Sequence, residues 1–499
     1  MSTPLNTLTG LIGEVADLRH VADLLEWDER VCMPPGGAEV HGEMLATVKR
    51  LAHEKLTSEA VGLALDRLNG NRGGLDPDSA QYRMVAVTAR DYNKATRVPA
   101  DFVAEQARIV SAAQHAWTQA RSTSSFSLFQ PHLEKIIDLK KRYVSFFPPA
   151  DHPYDVLLDD FEPGMKTADV KSMLGTLRPR QVALIRALAE RPPIDAAFLH
   201  VPYSEQELLG FAVDVITAFG FNWAHGRQDK SVHPFATAFG SSDVRITTRF
   251  VEGHPFGLLF GTMHEAGHAL YEQGVSGEHH RTQLEGGASL GVHESQSRLW
   301  ENLVGRSLPF WEHFYPKLQA RFPSQLGRVT LPQFYAGINK VERSLIRVEA
   351  DEATYNLHVM LRVELEIALV EGAIAVRDLP DAWNSRMQEY LGITPPNDAA
   401  GVLQDIHWSA GLLGYFATYT LGNLIAAQLW EAFHAIDPAR DDQIRRGDFS
   451  VLRSWLQSEI HQYGRMYQPQ ELVKRVTGSS IDPEPYLRYL ESKYEAIYS

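Results

Sequence analysis

Apolar residues recur along most of this chain at the three- and four-residue spacing of one helix face. In LFQPHLEKIIDLKKRYVSFF, the residues Phe129, Leu133, Ile136, Ile137, Lys140, Tyr143 and Val144 form one such stripe. The same period runs through 101–120, 172–190 and 355–376, so amphipathic helices are predicted there. One segment breaks the rule. In DVRITTRF (243–250), Val244, Ile246, Thr248 and Phe250 alternate with Arg245, Thr247 and Arg249, and the β-branched content predicts a strand with one apolar and one polar face. Helix breakers gather at Pro34–Gly37, Gly70–Gly74, Pro148–Pro149, Pro192–Pro193 and Pro395–Pro396, where loops are expected. The pattern predicts a mainly α fold with a small antiparallel sheet ahead of a central helix. Residues 1–499 are read as one continuous catalytic domain whose two lobes face a deep cleft.

Composition narrows the class. Lys and Arg total 48 against 62 Asp and Glu, a formal net charge of -14, which argues against a nucleic-acid partner. The single cysteine, Cys32, cannot form an intramolecular disulfide, so a reducing, cytoplasmic compartment is expected. The N-terminus has no basic region, and Glu14 and Asp17 interrupt any signal-like apolar run. The uncharged stretch Trp408–Trp430 is long enough to span a bilayer. Its glycines, Asn423 and Gln428 favour a buried core segment instead, so no membrane partner is expected.

Chemistry enters at His264-Glu265-Ala266-Gly267-His268. Two imidazoles at i and i+4 share a helix face about one turn apart, which lets both coordinate one tetrahedral Zn²⁺. Glu265 flanks the metal, where it can take a proton from water without ligating. Gly274 offers a helix stop. A zinc hydrolase of this kind needs a third protein ligand, and Glu294 in GVHESQSRLW is the candidate, with His293 as the alternative. The adjacent His279 and His280 follow glycines in a polar segment and are expected on a surface loop. His407, Tyr415 and Tyr419 lie in or beside the uncharged segment and are candidate donors to the oxyanion of acyl transfer.

HEAGH, HESQSR, GVLQDIHW, DVRITTRF, HPF at 233–235 and IRVEADEATYNLH at 346–358 together make the chain resemble the carboxypeptidase Taq family of metallocarboxypeptidases. The likeness runs from LLEWDERVCMPPGG through YDVLLDDFEPGM to GYFATYTLGNLIAAQ. It implies a helical fold like that of the angiotensin-converting enzyme and oligopeptidase group, a cytoplasmic homodimer, and removal of C-terminal residues with broad preference and poor action at proline. It implies the ligands His264, His268 and Glu294, with Glu265 as general base and Co²⁺ as an occasional substitute for Zn²⁺. Two positions depart from expectation. Ala417 stands where Pro is expected, and Arg298 stands four residues after Glu294, where many such enzymes carry an Asp that orients a ligating His. Asp351 is therefore expected to supply that carboxylate.

An exopeptidase must recognise a free C-terminal carboxylate, most naturally with an Arg fork. Arg347 is the first candidate and Arg245 the second, ahead of Arg298 and Arg343. Peptides with a free C-terminus are the expected substrates. The rival readings are a zinc oligopeptidase that cuts inside short peptides and a catalytically inactive helical peptide-binding scaffold.

Overall fold

The computed structural model describes residues 3–69 and 75–499, so the breaker cluster at Gly70–Gly74 lies outside the described residues. The predicted stripe forms the helix Phe126–Ser145, which buries Phe129, Leu133, Ile136, Ile137 and Lys140. The other periodic segments become Ala100–Thr123, Thr167–Ala189 and Glu352–Glu371. The last is buried on almost every side, because it threads between Thr167–Ala189, Leu379–Leu391 and Ala417–Ile436.

The uncharged segment divides in two. Residues 400–416 are turns, and Ala417–Ile436 is a core helix with thirteen buried residues. Among the described residues no helix is long and apolar enough to cross a membrane. Ala417 is the first residue of its helix, where Pro is also tolerated because that N–H has no partner within the helix. The turn before it is intact, since Thr418 N donates to Tyr415 O at 3.0 Å.

The sheet has three strands in the order β1-β3-β2: β1 (Gly226–Lys230), β2 (Ala236–Ala238) and β3 (Val244–Thr248). The expected strand is present, but the sheet is mixed rather than wholly antiparallel. β2 and β3 form an antiparallel pair around Gly240, which sits at φ +113°, whereas β1 pairs parallel to β3 along its other edge. Residues 231–235 carry the chain across between β1 and β2, and short-range alternation carries no information about such a crossing.

Two hydrophobic cores result. The larger runs from Ala113 to Tyr494 and encloses the metal-site helices. The smaller packs Leu8, Ile12 and Val15 of the N-terminal helix (Pro4–Val31) against Leu56, Val61, Leu65 and Met84, and it includes Leu284 from the far side of the sequence.

Candidate metal centre

His264, Glu265 and His268 lie on the helix Phe256–Gly274, which ends at Gly274 as expected. It can approach the helix Leu290–Arg298 closely because residue 267 is glycine. A Cβ there would stand 2.6 Å from Gln296 O and from Ser297 Cα. Ser289 caps the second helix through Val292 N at 3.1 Å, and Glu294 sits inside it rather than at its start. The helix Ala417–Ile436 closes the third side, where Gly422 meets the Glu294 side chain.

His264 Nε2 and His268 Nε2 each stand 3.5 Å from Glu294 Oε2, and the three donor atoms lie within 4.8 Å of one another. Zinc bonds of about 2.0–2.1 Å in tetrahedral array separate ligand atoms by about 3.4 Å, so the donor set fits such a cation. Both Nδ1 atoms face away from this point and are engaged. His264 Nδ1 is 2.9 Å from Glu301 Oε2, and His268 Nδ1 is 2.6 Å from His293 Nδ1, whose Nε2 is 2.7 Å from Glu272 Oε1. Each ring therefore presents Nε2 to the centre.

His293 thus stands behind His268 and is not a substitute ligand. Asp351 does not orient a ligand either. Its carboxylate caps Glu352–Glu371, accepting from Ala353 N (2.9 Å), Thr354 N (3.0 Å), Thr354 Oγ1 (2.9 Å) and Glu342 N (2.9 Å), which leaves no acceptor for a distant imidazole. Glu301 does the work expected of Asp351, reached because the helix continues past Arg298 as a π turn over Leu299–Val304. Arg298 accounts for its own position by donating to Glu294 Oε1 at 2.7 Å and Glu301 Oε2 at 3.2 Å, bracing both carboxylates.

The electrostatics follow from burial set against neighbours. Burial alone would raise the Glu294 carboxyl, but Arg298 and the two imidazoles hold it well below the usual range. At Glu265 burial, with Glu294 and Glu301, outweighs the favourable fields of His264 and His293 and pushes the carboxyl up to about 7. Burial takes His268 down to about 3, whereas Glu294 and Glu301 outweigh burial at His264 and hold it above its ordinary value.

The other expected residues gather on the Glu294 side. His407 Nε2 is 3.2 Å from Tyr419 Oη, and Tyr415 and Tyr419 pack with ring centroids 5.5 Å apart. Both phenols lie in the field of Glu294. Arg347 lies 4.9 Å over the Tyr419 ring, donates to Tyr355 Oη at 2.9 Å and shares Asp405 with Arg362. Arg245 is placed differently. Its fork is closed on Asp243 at 2.9 Å, and its guanidinium stacks over Trp27 and Phe239. His279 is buried, unlike the exposed His280 beside it.

Sequence reasoning did not single out Glu301, Glu272, Glu162 or Glu366. Glu366 accepts from Tyr154 Oη (2.6 Å), Trp408 Nε1 (2.8 Å) and Gly414 N (2.9 Å), anchoring the turns that carry His407 and Tyr415. Glu162 accepts from Gly291 N at the head of the Glu294 helix, while Phe161 O accepts from Leu290 N at 3.2 Å and the Phe161 ring packs edge-on against Tyr415 at 5.2 Å. The DDFEPG segment therefore braces the third ligand and Tyr415 together.

Comparison with known proteins agrees with the geometry. The profile of the carboxypeptidase Taq (M32) metallopeptidase family matches residues 7–494. Thermostable carboxypeptidase 1 of Thermus thermophilus is 41% identical over 495 residues, covering 97% of both chains, and carboxypeptidase 1 of Bacillus subtilis is 35% identical over 491 residues, covering 98% of this chain and 97% of that one. The crystal structure of an M32 carboxypeptidase from Deinococcus radiodurans superposes with a TM-score of 0.97 at 42% identity, covering 100% of both chains. With its site geometry, its fold and its full length all in accord, this chain belongs to the carboxypeptidase Taq (M32) family of metallopeptidases.

Proposed function

We propose that this metallocarboxypeptidase holds Zn²⁺, or Co²⁺ in its place, between His264, His268 and Glu294 and removes C-terminal residues from peptides with Glu265 as general base. The observation that carries the reading is the convergence of two Nε2 atoms on one Glu294 oxygen at 3.5 Å, with both Nδ1 atoms engaged elsewhere. When bound, the cation supplies Lewis acidity that polarises the scissile carbonyl and acidifies water. Glu265 accepts the proton and returns it to the leaving amine, a task suited to a carboxyl that burial has raised to about 7. Tyr415 and Tyr419 are the proposed donors to the developing oxyanion. His407 steadies Tyr419 as a neutral ring, because burial lowers its imidazole to about 4.

Arg347 is the proposed receptor for the substrate carboxylate. Two guanidinium groups, Arg347 and Arg362, face the single carboxylate of Asp405, and His358 alongside is kept neutral by burial, so the cluster holds one unbalanced positive charge. A C-terminal carboxylate completes that balance. Arg245 stays a weaker proposal, since its guanidinium is balanced one to one by Asp243, whereas Arg347 shares its carboxylate with Arg362. The chain is read as one catalytic unit acting on peptides in the cytoplasm, and a homodimer is inferred from the family likeness.

Mass spectrometry of an unblocked peptide digest tests the reading. A ladder of single-residue losses from the C-terminus, abolished by chelator and restored by Zn²⁺ or Co²⁺, is expected. Internal fragments would point to an oligopeptidase. Glu265→Gln should retain metal and lose about 10²–10⁴-fold in kcat.

A further inference from the structure

β2 is an edge strand, and its pairing decides which of its groups are free. Thr247 N donates to Phe235 O at 2.9 Å and Phe239 N to Asp243 O at 2.9 Å, so the odd-numbered residues face β3. Ala236 and Ala238 therefore turn their N–H and C=O outward, as an extended peptide requires of a strand it joins. Beyond that edge lies a cavity of about 330 Å³, walled by Ala236 and Ala238, by Ile12, Ala16 and Asp23 of the N-terminal helix, and by His293 behind the ligand His268. None of Arg347, Asp405, His407, Tyr415 or Tyr419 lines it. With the C-terminal carboxylate at Arg347, as proposed above, a peptide laid along the free edge of β2 would carry its upstream residues toward this cavity.

Its charged groups are engaged, with one exception. Glu272 holds His293, Glu285 holds His280 and Arg281 N, and Arg465 is paired with Asp91. Arg19, one helical turn before Asp23, is drawn to Gln283 Oε1 at 3.1 Å. Asp23 is half-buried and has no hydrogen bond or ion pair among the described residues. Burial and the neighbouring Glu26 raise its carboxyl above the ordinary value against the weaker fields of His20, Lys49 and Arg19, none of which is bonded to it among the described residues.

We propose that Asp23 is the recognition group of an upstream subsite in this cavity that binds a cationic group of the substrate, either the free α-ammonium of a short peptide or a Lys or Arg side chain. The inference rests on the carboxypeptidase reading with Arg347 at the other end of the peptide. It adds a preference at the non-reacting end, where binding energy is realised away from the chemistry.

The test uses peptides with a common C-terminal residue: short peptides with free or acetylated N-termini, and longer acetylated peptides carrying Lys or norleucine at successive upstream positions. For the native enzyme KM should be about tenfold lower for one cationic series than for its neutral partner, a charge-assisted hydrogen bond's effect. The series that responds tells the ammonium from the side chain. In Asp23→Asn the ratio of neutral to cationic KM should fall to about one, while Asp17→Asn, whose native carboxylate on the same helix is tied to Arg281 at 2.8 Å, should keep the native ratio. The ratio is internal to each preparation, so partial loss of folded protein does not change it. A native ratio near one in both series, or an Asp23→Asn enzyme that keeps the native ratio, overturns the subsite. Failure to release C-terminal residues from any peptide would instead overturn the carboxypeptidase reading itself.

Discussion

Gly422→Ala puts the packing of the metal centre to a direct test. The residue lies inside the helix Ala417–Ile436, and a Cβ there would stand 2.5 Å from Glu294 Cγ and 2.7 Å from Glu294 Cβ. Carbon contacts settle near 3.5–4.0 Å, so the two helices must part, or Glu294 must shift, by roughly 1 Å. Two terms compete in stability. Overpacking of this kind costs about 1–3 kcal/mol, and replacing a mid-helix glycine by alanine returns up to about 1 kcal/mol. A net loss of about 0–3 kcal/mol is therefore expected. The metal is less forgiving, because ligand distances tolerate only about 0.2 Å. Affinity should fall by about 10–100-fold, equivalent to about 1.4–2.7 kcal/mol. Chelator competition on purified protein measures it, with urea unfolding of the apo form measured alongside. Gly175→Ala is the control, since its site in Thr167–Ala189 is exposed with nothing within 4 Å of the added carbon, and it should stabilise by about 0.4–1 kcal/mol. Metal affinity unchanged within twofold in Gly422→Ala would refute the claim that this glycine sets the position of Glu294.

Three further outcomes are expected. Arg347→Ala should raise KM sharply for peptides with a free C-terminus and little for amidated ones, and equal losses on both would count against carboxylate recognition. Glu301→Gln should weaken metal binding by about 10–100-fold, whereas Asp351→Ala should cost about 0.5–2 kcal/mol of stability as a lost cap and leave metal affinity intact; the reverse pattern would restore the original expectation for Asp351. Burial raises Glu162 to about 8 from an ordinary 4.5, so its stabilising effect is complete below pH 4.5 and is lost as pH rises through 8, by at most about 1.4 kcal/mol per pH unit. Glu162→Gln should remove that dependence, so native and variant unfolding energies measured at pH 5 and pH 8 should diverge; parallel curves would show Glu162 to be ionised throughout.

How much of this was legible in the sequence depends on the range over which each feature is set. The helices at 126–145 and 352–371 follow from spacing within a few turns, and so does the His264–His268 pair, because i and i+4 share a face whatever surrounds them. Glu294 was within reach because its motif stands close downstream on a helix of its own. The partners that orient those ligands were not. Glu301 reaches His264 only after a π turn, Glu272 reaches His268 only through His293, and Asp351, a plausible orienting carboxylate by composition, caps its own helix instead. A carboxylate's letter does not reveal which donors will surround it.

Sequence by itself therefore determined most of the elements, the His264–His268 pair and Glu294 as candidate metal ligands, and the reaction class, all of which rest on local periodicity, short spacings and motif resemblance. Tertiary structure alone decided that β1 runs parallel to β3, that Arg245 is closed on Asp243 while Arg347 shares Asp405 with Arg362, and that Glu162 braces the Glu294 helix from 129 residues away. The physical reason is common to these cases. A buried charge takes whatever partner packing brings within about 3 Å, and packing across the chain is a property of the assembled core rather than of any one segment.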